Sequence, residues 1–181
     1  MERNFNKEWE NGNWDYMGDI SQCFRYGATA SVINHLKLGN ILDVGCGEGT
    51  LVDYIKDVSR YEGLDISKEA IRRAKQKHPE CKFSVNTVQD FATDSRFDIV
   101  VFDAILYAVS NPEEMIIKYS NFLKKDGHIL ITHFGMDTRE LKFDDYSLFR
   151  YMDSVFDLVV SSTSINWQVS KFPVRHIRLY K

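Results

Sequence analysis

Hydrophobic and polar positions along the chain form short apolar runs that alternate with amphipathic stretches. The runs predict strands at 40–44, 61–64, 82–85, 97–102, 128–134, 158–164 and 174–180. The amphipathic stretches predict helices at 19–38, 50–58, 67–77, from 112 onward, and at 144–156. Strands that alternate with helices are typical of an α/β fold with a parallel sheet. No helical pattern separates the last two strands, so we expect an antiparallel hairpin there.

Residue types at the predicted helix ends support this division. Asp19 and Ser67 stand where helix caps are expected, and Pro112 occupies a first helical position. Pro79 follows the helix that begins at Ser67 and stops it. We find no repeat, low-complexity segment or linker, and therefore expect residues 1–181 to form one domain.

Composition and charge exclude several functional classes. A net charge of −3 without a basic stripe argues against a nucleic-acid partner. Three cysteines with no CxxC pair argue against a metal site or a disulfide framework and suit a reducing cytoplasm. No apolar run approaches the ~20 residues of a membrane-spanning helix, and the polar first residues lack a signal-peptide core. We expect a soluble cytoplasmic protein.

The first 18 residues are polar but carry several large apolar side chains. These are Phe5, Trp9, Trp14, Tyr16 and Met17. Aromatic residues in a hydrophilic leader indicate that it folds back onto an apolar surface. The pattern leaves two interpretations open, a packed arm or a lid over the site described next.

A glycine-rich turn follows the first predicted strand. Gly45, Gly47 and Gly49 lie within five residues, and Thr50 stands where the third glycine of a dinucleotide fingerprint would be. Asp43 precedes the turn, and a carboxylate there suits a cationic ligand better than a pyrophosphate. Asp65 ends the second strand, where it can accept both hydroxyl hydrogens of a ribose. The pattern indicates a nucleotide-type ligand.

Residues 43–49, DVGCGEG, resemble motif I of the class I S-adenosylmethionine-dependent methyltransferases. Residues 63–67, 97–100 and 123–131 resemble the family's second motif and its fourth and fifth strands, in the family's order. The resemblance implies a Rossmann-like three-layer sandwich with six parallel strands and one antiparallel strand. It also implies S-adenosylmethionine as cofactor and S-adenosylhomocysteine as product. Residues 40–134 would form the cofactor-binding core and 135–181 a C-terminal helix and β-hairpin.

The same resemblance assigns cofactor contacts to the core. Gly45, Cys46 and Gly47 would lie against the methionine part, and Asp43 would orient its amino group. Asp65 would hold the ribose hydroxyls, and Ile66 would pack on the adenine.

The adenine N6 hydrogen would be accepted by Asn86, with Thr87 offering its backbone N–H. Asp90 is a competing candidate, and the loop length leaves this choice open. Asp103, at the end of the fourth strand, would contact the methionine end.

Residues 1–39 are expected to cover the cofactor site. Arg25 stands 16 positions before Ile41, similar to small-molecule methyltransferases whose N-terminal helix sends an arginine to the cofactor carboxylate. Trp14 and Tyr16, with Met17, could then cover the cofactor.

The acceptor would approach from the carboxyl ends of the fourth and fifth strands. That makes Asp103, Tyr107, His133 and Asp137 the catalytic candidates, with Tyr16 and Trp167 as outlying possibilities. Elimination leaves a small polar metabolite: a sugar, a sugar nucleotide or a phosphorylated intermediate, methylated on O or N. We expect a monomer or homodimer. An NAD-dependent oxidoreductase and a non-catalytic, cofactor-binding partner subunit are the alternatives.

Overall fold

The computed structural model describes residues 4–134, 145–163 and 174–181. The strands are β1 Asn40–Val44, β2 Arg60–Asp65, β3 Lys82–Val85, β4 Phe97–Asp103, β5 Leu123–Phe134, β6 Leu158–Thr163 and β7 Val174–Tyr180. The α-helices are α1 Phe5–Glu10, α2 Ile20–Leu36, α3 Lys68–Lys77, α4 Pro112–Ser120 and α5 Asp145–Val155. Short 3₁₀ helices span Asp15–Gly18, Thr50–Tyr54 and Leu106–Ala108. None of the helices in these described ranges is long and apolar enough to cross a membrane.

The strands form one seven-stranded sheet in the order β3-β2-β1-β4-β5-β7-β6. The first five strands run parallel to one another. Strand β7 is antiparallel to both β5 and β6, so six strands share one direction and β7 opposes them. The predicted fold class and the predicted hairpin are confirmed.

Strand alternation distributes the side chains between two apolar layers. Leu42 and Val44 pack with residues of α4 and α5 on one face. Ile41 packs with residues of α2 and α3 on the other. Because successive side chains point to opposite faces, Asp43 belongs to the face of Ile41. By the same alternation Asp103 follows Ile99 and Val101 on that face.

Two predicted boundaries were wrong. The helix expected at 50–58 is a 3₁₀ helix, Thr50–Tyr54, with no side-chain cap, and the backbone becomes extended at Ile55. An uncapped start and five residues are too little for a stable α-helix. The strand expected at 128–134 begins earlier, since β5 starts at Leu123 and continues through a shift in its register against β4 before His128.

Of the two predicted helix caps, one forms a side-chain capping hydrogen bond and the other does not. Ser67 caps α3 as expected, because its hydroxyl accepts the Ala70 amide hydrogen at 3.1 Å. Asp19 has the extended conformation of a cap, but its side chain accepts no capping hydrogen bond.

The N-terminal arm, residues 4–18, contains helix α1, which the sequence pattern did not predict. The Asn6 side-chain oxygen accepts hydrogen bonds from the Ser67 hydroxyl (3.2 Å) and the Glu69 amide (3.0 Å) at the start of α3. One turn later, Arg73 donates to the Trp9 carbonyl (3.0 Å) and to Asp15 (2.6 Å). The arm is therefore fixed to α3 at both of its helical segments.

A buried ion pair fixes α2 to the sheet. Arg25 donates to Asp103 at the end of β4, and their side chains are 4% and 6% exposed. Burial by itself lowers the pKa of Arg25, but the Asp103 carboxylate more than offsets that effect, so the pKa lies above its usual value. Arg25 therefore stays charged across the physiological range.

Replacing Arg25 by alanine tests this ion pair. We expect the free energy of unfolding in urea to fall by about 3–5 kcal/mol, because the Asp103 carboxylate is left buried without its partner. Arg96→Ala is the matched control, since Arg96 is exposed and, within the described residues, donates only to the carbonyls of Asp94 and Ser95. A loss for Arg25→Ala no larger than that of the control would contradict the pair's structural role.

The attachment of the arm is tested with two neighbouring arginines. In Arg73→Met we expect faster amide hydrogen exchange over residues 5–18, because the contacts to Trp9 and Asp15 are lost. Arg72→Met is the control, because in the part of the chain that the structure describes Arg72 donates only to Glu69 and Gln76, both in α3. Equal exchange in the two variants would argue that Arg73 does not hold the arm.

Candidate active site

The glycine turn after β1 bends toward the end of β2. Its three glycines have positive φ angles, +75° at Gly45, +55° at Gly47 and +76° at Gly49. The Gly45 and Cys46 amides donate to the Leu64 carbonyl at 2.8 and 3.0 Å. These turn amides therefore bond to β2, and the segment that follows is a short 3₁₀ helix in place of the predicted α-helix.

Trp9 of the arm lies directly on this turn. A Cβ atom added to Gly47 would stand 3.0 Å from the Trp9 ring, so glycine is required for the close approach as well as for the positive φ. Trp9 is buried and Trp14 stacks beside it, with ring centroids 6.1 Å apart. The arm is thus packed, and it also covers the turn, so it combines the two interpretations that the sequence left open.

The turn, the arm and the carboxyl ends of β2 and β4 surround one cavity. Most residues predicted to bind cofactor or substrate line it: Trp14, Arg25, Asp43, Gly45, Cys46, Gly47, Asp65, Ile66, Asn86, Thr87, Asp103 and Tyr107. Met17 lines it as well. Because these residues come from separate parts of the chain, their convergence is a property of the fold.

Among the described residues, the predicted contact Tyr16 does not line the cavity, and it stacks on Trp14 with ring centroids 6.1 Å apart. His133 is the second-last residue of β5, but its side chain lies outside the described part of the structure. Asp137 and Trp167 also lie outside the described residues.

The geometry favours Asn86 over Asp90 as the residue facing the adenine. Asn86 and Thr87 line the cavity. Asp90 is exposed and is engaged with Thr87, whose hydroxyl donates to it at 2.6 Å and accepts from its amide at 3.0 Å.

Asp43 is a buried carboxylate with one partner. It is 2% exposed, and the Tyr61 hydroxyl donates to its Oδ2 atom. Burial raises the pKa of Asp43 to about 7, against the opposing effect of the Tyr61 hydrogen bond. Within the described residues its Oδ1 atom has no hydrogen-bond partner, and neither has the Thr50 hydroxyl, which also lines the cavity.

Asp65 braces the turn and retains capacity for a ligand. It accepts from the Gly47 amide at 3.0 Å and from the Ser67 amide at 2.8 Å. Burial raises its pKa, while these backbone bonds oppose the shift. A carboxylate has about four acceptor sites, so ribose hydroxyls can still be accepted. The adjoining Ile66 is 52% exposed, a large apolar surface in the cavity.

Asp103 accepts hydrogen bonds at both oxygens. Arg25 donates to Oδ2, and the Thr132 hydroxyl donates to Oδ1. Arg25 itself also donates to Gln22 at 3.2 Å and contacts the Met17 sulfur at 3.5 Å. A carboxylate held in this way is a weak candidate for a general base, and its geometry suits the positioning of Arg25.

Charge in the cavity is unbalanced. Four of the described residues that line it are acidic: Asp43, Glu48, Asp65 and Asp103. Arg25 is the one basic residue among the described lining residues. This excess favours a cationic ligand and disfavours a pyrophosphate. In the described residues no group of three or more His, Cys, Asp or Glu side chains could hold a metal ion.

Sequence reasoning missed several lining residues. They are Tyr26, Glu48, Thr50, Leu64, Val88, Gln89, Ala104, Ile105, Ala108 and Val109. Most follow the carboxyl end of a strand, a position that could have flagged them. Ala104 holds such a position directly after β4, but its left-handed conformation, φ +57°, could not be predicted, because a residue other than glycine gives no sequence signal for it.

S-adenosylmethionine, the cofactor that the resemblance implies, fits these residues. The unpartnered Asp43 oxygen lacks the donor that an amino group would supply, and the exposed Ile66 side chain lacks the apolar cover that an adenine would supply. Cys46 is a poor nucleophile here, because burial raises the pKa of its thiol and keeps it protonated.

Solved structures share the fold over nearly the whole chain. The N-methyltransferase NodS from Bradyrhizobium japonicum WM9, in complex with S-adenosyl-L-homocysteine, superimposes with a TM-score of 0.80 at 15% identity and covers 98% of each chain. The 1,6-didemethyltoxoflavin-N1-methyltransferase from Burkholderia thailandensis gives a TM-score of 0.74 at 16% identity, covering 97% of this chain and 84% of that one.

This chain aligns with a part of the length of each of two curated relatives. The ubiquinone biosynthesis O-methyltransferase of Glaesserella parasuis is 30% identical over 135 residues, 66% of this chain and 57% of the relative. The malonyl-[acyl-carrier protein] O-methyltransferase 2 of Ilyobacter polytropus is 30% identical over 105 residues, 55% of this chain and 40% of the relative. The chain thus spans about half the length of these relatives. The family described as "Methyltransferase domain" matches residues 35–148, and the chain belongs to that family.

Proposed function

We propose that this chain transfers a methyl group from S-adenosylmethionine to an oxygen or nitrogen of a small polar metabolite. The observation that carries the proposal is the cavity on the glycine turn, with unpartnered buried oxygens on Asp43 and Thr50. A buried polar atom without a partner costs ~1–3 kcal/mol, so a ligand that supplies a donor is favoured. The names of the relatives support the same reaction class.

Each end of the cofactor has a partner in this proposal. Asp65 accepts the ribose hydroxyls and Ile66 covers the adenine, whose N6 edge meets Asn86 and Thr87. At the other end Asp43 accepts from the amino group. Arg25, oriented by Asp103, attracts the carboxylate.

The excess of carboxylates distinguishes this cofactor from a dinucleotide. S-adenosylmethionine brings a sulfonium and an ammonium, whereas NADH brings two phosphates into the same field. Membership of the methyltransferase family also favours a methyltransferase over an oxidoreductase.

For methyl transfer, the main task of the protein is to position the cofactor and the acceptor relative to each other. The bound cofactor supplies an already activated methyl group. The chain must therefore hold the acceptor in line, exclude water and, for a hydroxyl acceptor, take up a proton. Trp9 and Trp14 exclude water from the turn, and Tyr107 and His133 are the remaining candidates to orient the acceptor or take its proton. The acidic lining favours an uncharged acceptor, such as a sugar, over a phosphorylated one.

Calorimetry tests the cofactor. We expect S-adenosylhomocysteine to bind with micromolar affinity and NADH not to bind, because the acidic cavity repels the two phosphates. Micromolar binding of NADH alone would overturn the proposal.

Mass spectrometry of a broad metabolite panel, after incubation with S-adenosylmethionine, tests the reaction itself. A mass gain of one methyl group in an acceptor is expected. Cofactor binding with no methylated product across the panel would favour a non-catalytic subunit.

The ribose contact is tested by Asp65→Asn. We expect S-adenosylhomocysteine to bind ~10–100-fold more weakly, the range of a charge-assisted hydrogen bond, and the preference for adenosine over 2′,3′-dideoxyadenosine to disappear. Asp94→Asn, at an exposed position away from the cavity, serves as control. If Asp65→Asn keeps the preference for adenosine, Asp65 braces the turn without holding the ribose.

A further inference from the structure

Tyr61 contacts Asp43, one of the acidic residues that line the cavity. It lies on β2 opposite Ile41, while Asp43 lies opposite Gly63, so the two side chains are diagonal neighbours on one face of the sheet. Gly63 has no side chain to separate them. Tyr61 is 2% exposed, and its hydroxyl donates to the Asp43 Oδ2 atom. This hydrogen bond fixes the rotation of the carboxylate.

The two oxygens of Asp43 are thereby made different. Oδ2 has Tyr61 as donor, and Oδ1 has no partner among the described residues although it is buried. An unsatisfied oxygen on a buried carboxylate is unfavourable without a ligand and favourable for a ligand that donates to it. Tyr61 is not among the described residues that line the cavity, so its hydroxyl affects a ligand there indirectly, through the bond to Asp43.

We propose that Tyr61 is a positioning residue that holds Asp43 so that its Oδ1 atom receives the ammonium group of the cofactor. The proposal rests on the function proposed above. It assigns to Tyr61 the selection of ligands that carry a cationic amine, as opposed to ligands with the adenosine part alone.

A consequence for pH follows from the surroundings of Asp43. The groups that face it are Arg25 and Tyr26 from α2, Tyr61 and Asp65 from β2, Cys46 from the turn and Asp103 from β4. Burial is the largest influence and raises the pKa of Asp43 to about 7, and Asp103 and Asp65 act in the same direction. The Tyr61 hydrogen bond and Arg25 act in the opposite direction.

These influences on the pKa of Asp43 determine how the affinity for an amine-bearing ligand changes with pH. An ammonium group binds the ionised carboxylate, so affinity for an amine-bearing ligand rises as the pH increases through about 7. Loss of the Tyr61 hydroxyl removes a bond to the ionised form, which moves this rise to higher pH. At still higher pH the ligand's own amine loses its proton and the affinity falls again. This fall in affinity is the same for every variant, because it comes from the ligand.

The experiment is calorimetry between pH 5.5 and 8 with two probes, S-adenosylhomocysteine and 5′-methylthioadenosine, which lacks the amino-acid part. In the unmodified protein we expect affinity for the first probe to rise ~3–10-fold from pH 6 to 7.5, as one carboxyl ionises. Affinity for the second probe should stay constant within about twofold. In Tyr61→Phe the first probe should bind ~3–10-fold more weakly at pH 7, with its rise displaced to higher pH, since one hydrogen bond to a charged group is lost. The second probe should be unaffected.

Two further variants control for indirect effects. Tyr54→Phe removes a hydroxyl that contacts the Cys23 sulfur at 3.2 Å outside the cavity, and should leave both probes unchanged. Asp43→Asn cannot ionise and should abolish the rise between pH 6 and 7.5. Thermal melting of each variant establishes that it is folded.

The possible results separate this inference from the function it rests on. Equal losses for both probes in Tyr61→Phe, or an unchanged pH profile, would overturn the positioning role while cofactor binding stands. The comparison of the two probes in the unmodified protein needs no variant, and a pH-independent affinity for S-adenosylhomocysteine would also overturn it. Failure of S-adenosylhomocysteine to bind at any pH would instead overturn the proposed function.

Discussion

The ion pair between Arg25 and Asp103 allows the carboxyl edge of this sheet to be buried and charged at once. Carboxylates removed from water are unstable unless they are paired or hydrogen-bonded. Here the compensation differs from one group to the next. Asp103 receives a guanidinium and the Thr132 hydroxyl, and Asp65 receives the Gly47 and Ser67 amides.

Asp43 is the least compensated of the three. Among described residues it has a single hydrogen-bond donor, Tyr61. Asp103 and Asp65 add their repulsion to the effect of burial, so the protonation of Asp43 changes near neutrality. Two well-compensated acids thus lie beside a third whose Oδ1 atom has no donor among the described residues, and this asymmetry favours a ligand that carries a cation.

Much of the site followed from the strand–turn–strand pattern. The turn at 45–49 and Asp65 could be located because the ends of parallel strands are predicted directly from short apolar runs. Asn86 was assigned by the family resemblance, which left Asp90 as an alternative. The segment after the turn could not be predicted, since nothing in Thr50–Tyr54 separates a weak helical pattern from a 3₁₀ helix without its cap. The arm's aromatic residues predicted that it packs, but not where, because Asn6 and Arg73 meet partners about sixty positions away. Tyr61 was read as part of a strand, and its bond to Asp43 is visible only when β1 and β2 are paired in register.

The sequence by itself determined the order of strands and helices, the positive φ angles of the turn and the positions of the acids at strand ends. These depend on neighbours within a few residues, which is the range over which local propensity and periodicity act. Tertiary structure decided which acids share a partner, which oxygen is left without one and where the arm lies on the turn. Those outcomes depend on register and packing between residues far apart in the chain, such as Arg25 and Asp103, and no local pattern carries that information.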